Sequence, residues 1–138
     1  MSKLFQRLTD ATKSGVYRAP HERDIVDALA GSKLRIARID LAGARDKEAI
    51  LERIAKALAF PSWFGGNWDA LEDCLADLPD GGHVILIENA QASFDEGGIL
   101  VDVLRSAAAF WAERKRPFFA VFIGDGAPDL PPLYRERQ

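Results

Sequence analysis

The side chains best placed to do chemistry crowd one stretch, "WFGGNWDALEDCLADLPDGG", residues 63–82. It holds Asp69, Glu72, Asp73, Asp77 and Asp80, and no lysine or arginine among them. Carboxylates one helical turn apart can work as an acid/base pair, like the two acids that flank a glycosidic bond at about 5–9.5 Å. They can gather a hard cation, or they can simply present fixed negative charge to a basic partner. The first use needs a companion sugar-binding cluster, which so short a chain does not offer. The second lacks the calcium-loop spacing D-x-[DN]-x-[DN]-G. A metal held by scattered acids and a merely solvated polar face stay open as alternatives to charge presentation; no catalytic role or cofactor is expected, and no metal site is assigned.

The other reactive residue types are more easily assigned to structure. Cys74 falls on the apolar side of the same helical pattern, beside anions that disfavour its thiolate, so it reads as core packing. His21 and His83 belong to no metal-binding spacing; His83 reads as a strand-entry residue and His21 as surface. Gly124 and Gly126 around Asp125 suit a turn, since a phosphate loop would need a helix to follow.

Charge is distributed unevenly. Residues 57–104 carry nine carboxylates and no lysine or arginine, a charge of -9, against +6 for the rest of a chain whose net charge is -3. Phosphates want lysine and arginine, so direct nucleic acid contact is not expected and a basic protein partner is. The single cysteine excludes an internal disulfide framework and suggests the cytoplasm. No run approaches the roughly 18 apolar residues of a membrane span, and the first residues lack an apolar signal core, so neither anchor nor export signal is expected.

The elements that position the acids follow from periodicity. Residues 3–13 place Leu4, Leu8 and Ala11 at helical spacing, "GVYRAP" suits a short extended piece, and "HERDIVDALAG" a short helix ending at Gly31. Residues 34–41 read as a strand. Asp46 is a cap for a helix with apolar residues at 50, 51, 54, 55 and 58, ended by Pro61. Asn67 caps the next helix, about 68–78, closed by Pro79, Gly81 and Gly82. On it Leu71, Cys74, Leu75 and Leu78 share one side, and Asp69, Glu72, Asp73 and Asp77 the other. Like charges at i, i+4 cost roughly 0.2–0.5 kcal/mol per pair, so stability does not select this face. In the preceding loop, one of Trp63 and Phe64 suits a core plug and the other, if exposed, a binding anchor; Trp68 fits either core or rim. A buried strand at 83–88, a helix at about 98–114 and a strand at 117–124 complete an α/β pattern with parallel pairing. The proline-rich end reads as an extended surface tail.

"FPSWFGGNWDALEDCL" resembles the signature of the barstar family of intracellular ribonuclease inhibitors, with an aromatic pair, Gly65, Asn67, Asp69-Ala70-Leu71 and Asp73-Cys74-Leu75 in unbroken register. The resemblance covers about residues 33–124 and implies a three-stranded parallel sheet with helices packed on it. Residues 1–32 become an N-terminal helical extension and 125–138 a C-terminal tail. It also implies a non-catalytic protein, monomeric when free, that plugs the active site of a basic ribonuclease with an acidic helix and the aromatic loop before it. Asp73 matches the family's carboxylate at the phosphate site, Asp69 its partner acid and Trp63 the aromatic that packs on the enzyme. Phe64, Asn67 (chiefly a cap), Glu72 and Asp77 complete the expected contact set. The sequence departs from barstar at Glu72, where barstar has tryptophan, and at Gly66, where it has glutamate. The acid of barstar's later helix falls at Gly98, leaving Asp95, Glu96 and Asp102 as candidates. A barstar-like module for a basic partner that is no nuclease is the alternative.

Overall fold

A computed structural model of the chain describes residues 3–61, 64–79, 81–90, 94–124 and 128–134, with backbone only for 94–97. Helix α1 (Lys3–Leu8) and a 3₁₀ turn (Ala11–Lys13) lead into strand β1 (Gly15–Ala19). Then come α2 (Arg23–Leu29), β2 (Arg35–Asp40), α3 (Lys47–Ala57), α4 (Trp68–Ala76), β3 (His83–Glu88), α5 (Phe94–Glu113) and β4 (Phe118–Ile123). All strands pair in parallel, in the order β1-β4-β3-β2.

The sheet therefore has four strands, one more than the three expected from the family resemblance. "GVYRA" joins as an edge strand, with Val16 opposite Ala120 and Tyr17 opposite Val121. The run is short, and its partner lies about a hundred residues away in sequence, so nothing local reveals that β4 has an edge to accept it. The tail covers β1 in turn: the Arg18 N–H donates to the Pro131 carbonyl, and the Leu133 N–H to the Arg18 carbonyl. Leu130 and Leu133 are buried, which gives the tail a packing role beyond lying on the surface.

Each strand side chain alternates between two cores, as the period of a strand requires. Ile85, Ile87, Phe118, Ala120 and Phe122 meet α3, α4 and α5 on one face, through Ile50, Leu51, Ile54, Leu71, Leu75 and Leu104. Val84, Leu86, Phe119 and Val121 meet Leu8, Ile25, Leu29 and Leu133 on the other. A sheet covered on both faces is why "FFAVFI" is apolar throughout and "HVILIE" is apolar between its end residues. Asp46 caps α3 by accepting from the Ala49 N–H at 2.8 Å. The helix expected to begin near 98 starts four residues sooner, at Phe94, because the pair Gly97-Gly98 is tolerated inside α5 rather than ending a loop.

Gly82 marks where two chain segments close over the start of β3. An added Cβ would stand 1.9 Å from Leu34 Cδ2 and 2.8 Å from Pro117 Cγ. Leu34 can swing aside, but the proline ring cannot. Gly82→Ala is expected to cost about 1–3 kcal/mol, read as a lowered urea midpoint with an unchanged slope. At the opposite end of β3, burial raises the Glu88 carboxyl above the usual range, and nearby Glu22 and Asp40 add to the shift against Arg38. Such a group binds more protons folded than unfolded between the ordinary and the raised value, so its contribution to stability falls as pH rises through that window. Glu88→Gln is expected to flatten that slope in melting temperatures compared from about pH 4 to 7.

Candidate functional site

Helix α4 begins at an Asn67 cap: the side-chain oxygen accepts the Ala70 N–H at 2.7 Å. The cap fixes where the helix starts, and hence which positions turn outward. Leu71, Cys74 and Leu75 are buried. Asp69, Glu72, Asp73 and Asp77 are exposed, as the 3.6-residue period requires. Asp69 lies in the first turn, where the helix dipole favours an anion. Asp77 is the C-cap residue, its N–H bonded to the Cys74 carbonyl at 3.1 Å. From Asp69 to Asp77 the ridge runs about 12 Å at helical rise.

Among the described residues, no cation pairs with these carboxylates. Among the described residues the ion pairs are Arg38–Glu22 at 2.9 Å, His21–Asp24 at 3.9 Å and Arg105–Asp102 at 3.9 Å. None involves α4. The face is a ridge, and the 370 Å³ cavity lined by Leu41, Ala90, Val101, Phe122 and Leu130 includes none of its residues.

The other expected contacts divide. Phe64 is half-buried, packed on the core and against Phe60 at a ring separation of 5.3 Å, so it acts as the plug of the aromatic pair. Trp63 lies outside the described residues. Trp68, left open between core and rim, is partly buried against the core. Cys74 is buried as expected for packing; burial pushes its thiol up, with Asp73 and Asp77 adding to the shift. Of the candidates on the later helix, Asp102 has an exposed side chain and leans toward Arg105, while the side chains of Asp95 and Glu96 lie outside the described residues.

Two residues that orient the ridge escaped sequence reasoning. Trp111 on α5 is buried and donates its indole N–H to the Leu75 carbonyl at 3.0 Å, one of the last-turn carbonyls that a helix leaves without an internal partner. His83, read as a strand-entry residue, is buried too; its Nε2 lies 2.7 Å from the Pro79 carbonyl and its ring 6.1 Å from that of Trp111. The available signal was that a buried tryptophan needs an acceptor for its N–H. Which acceptor it finds is decided by the packing of α5 on α4.

This is a parallel α/β domain that displays an acidic helix, unpaired among the described residues, beside its core. Residues 34–123, more than half of the chain, match the family model described as Barstar (barnase inhibitor), and the chain belongs to the barstar family. No match is found among curated proteins. In fold the chain is similar to a chain of Drosophila ORC solved bound to DNA, at 15% identity and a TM-score of 0.58, covering 91% of this chain and 36% of that one. A chain from Drosophila ORC bound to AT-rich DNA and Cdc6 aligns at 12% identity and a TM-score of 0.45, over 87% of this chain and 42% of that one. This protein thus spans less than half of either, and the first likeness is one of fold alone.

Trp111→Phe keeps the ring but orphans the Leu75 carbonyl. The expected loss is about 1–3 kcal/mol in urea unfolding, with faster amide exchange concentrated in the last turn of α4.

Proposed function

We propose that this protein binds and inhibits a basic ribonuclease, without catalysis of its own, by seating α4 and the loop before it in the enzyme's active site. The observation that carries the reading is the ridge itself: four exposed carboxylates, Asp69, Glu72, Asp73 and Asp77, on one face of a capped helix and unpaired within the described residues. A ribonuclease holds RNA phosphates with cationic side chains. Carboxylates fixed on a helix offer those cations the charge of the phosphates without the scissile bond. The core behind α4 keeps them in place before the partner arrives, which lowers the ordering cost of association.

Asp73, at the middle of the ridge, takes the phosphate position. Asp69 supports it from the first turn, Trp63 packs on the enzyme, and Glu72 and Asp77 widen the field that draws in a basic partner. The work is placed in the cytoplasm, the compartment suggested by the lone cysteine. Glu72 supports a second reading. Its exposed carboxylate stands where barstar has tryptophan, which trades a ring for charge and suits a barstar-like module whose basic partner is no nuclease.

Asp73→Lys reverses the central charge at an exposed position. It is expected to cost about 3–5 kcal/mol of binding to the captured partner and to abolish inhibition, with an unchanged circular dichroism spectrum and urea midpoint. Titrating a panel of basic ribonucleases with wild type and variant at several salt concentrations checks this, since wild-type inhibition should weaken with salt. Retained inhibition by the variant removes Asp73 from the centre. Salt-sensitive capture of a basic protein without RNase activity transfers the site to the second reading.

A further inference from the structure

The cations of this chain that leave its middle third bare gather elsewhere. Because all four strands are parallel, their amino ends lie along one edge of the sheet. Into that edge run Lys13 before β1, Arg114, Lys115 and Arg116 before β4, and Lys33 with Arg35 at β2. All six are exposed. Two contacts draw the segments together. The Ser14 hydroxyl oxygen accepts the Phe118 N–H at 3.0 Å, setting Lys13 beside the entry to β4. Leu34 and Pro117 close over Gly82, setting Lys33 and Arg35 on one side of it and Arg116 on the other. Three strand spacings make a row of about 14 Å. Among the described residues, four carboxylates belong to the segments entering the same edge, Asp10, Asp27, Asp77 and Glu113, against the six cations; Asp80, in the segment before β3, lies outside the described residues.

The backbone at Lys115 fixes how the end of α5 delivers its cations to this edge. Helix α5 ends in a Schellman turn, with the Lys115 N–H bonded to the Ala112 carbonyl at 2.9 Å and the Arg116 N–H to the Trp111 carbonyl at 3.0 Å. The left-handed position of that turn normally belongs to glycine or asparagine, yet here it is a lysine with φ 61°. The helix dipole accounts for a cation in the last turn. The turn that ends α3 places Ala59 in the same conformation, φ 53°, so what the dipole leaves unexplained is the charge: three consecutive cations at 114–116 and those arriving from β1 and β2.

The geometry points to a nucleic acid binding edge that holds the phosphate backbone along the amino ends of the strands. A phosphodiester chain needs charge and little else, and it is favoured over an acidic protein because this edge offers no apolar anchor: the one large exposed hydrophobic among the described residues, Ile99, lies in the amino-terminal half of α5, at the other end of that helix. The expectation of no nucleic acid contact followed charge along the chain, whereas this edge is assembled from three separate segments.

Fluorescence anisotropy with labelled single-stranded RNA and DNA 12-mers of mixed sequence, on the purified full chain, tests this. Binding at roughly 50 mM salt is expected, with log K falling against log salt at a slope of about -3. Equal affinity for the two probes supports backbone contact alone, and preference for RNA supports added reading of the 2′-hydroxyl. Lys33→Ser with Arg35→Ser and Arg116→Ser should weaken binding by roughly tenfold or more. Lys115→Gly should also weaken it while the melting temperature holds or rises, a combination that a purely structural lysine would not give. Asp73→Lys should leave this edge able to bind, separating the result from the inhibitor reading. No binding by wild type, affinity unchanged in both variants, or equal binding of poly-glutamate overturns the proposal.

Discussion

Asp69, Glu72, Asp73 and Asp77 repel one another in water, and among the described residues no ion pair relieves that repulsion. Isolated, such a helix of nine residues would not persist. It persists because its other side is bound into a core: Leu71 and Leu75 are fully buried. Burying a leucine side chain is worth about 1.5–3 kcal/mol, several times a like-charge pair at helical spacing. The apolar face therefore decides the conformation and leaves the charged face available for something other than stability.

That balance explains several features around it. The Asn67 cap fixes the first turn, so the carboxylates cannot rotate toward the core without breaking a 2.7 Å hydrogen bond. Trp111 and His83 hold the far end, one at the Leu75 carbonyl and the other at the Pro79 carbonyl, inside the same buried layer. Phe64 closes the loop against Phe60. The ridge is thus tied at both ends to the sheet that carries it, and a partner meets charges already in position.

The parallel sheet imposes a second order on charge. Helices on it run back from the carboxyl ends of the strands to the amino ends, so α4 starts at one edge and finishes at the other. Cations entering β1, β2 and β4 end up on the edge where α4 and α5 terminate. A chain of net charge -3 is in this way strongly polar along its surface while staying nearly neutral as a whole.

The sequence by itself determined the parts governed by local periodicity and capping. The acidic and apolar faces of α4, the Asn67 and Asp46 caps, and the buried strands at 83–88 and 117–124 all express interactions within a few residues. The signature around Asp69 and Asp73 was legible for the same reason, since a helix fixes which of its own residues share a face. Tertiary structure alone decided what depends on distant partners. Gly15–Ala19 became a fourth strand because β4 had a free edge, Leu130 and Leu133 became core residues because the tail crosses β1, and Trp111 became a support of α4 because α5 packs there. Hydrogen bonding along a strand edge and apolar burial take no account of separation in sequence, so such pairings leave no periodic trace to read.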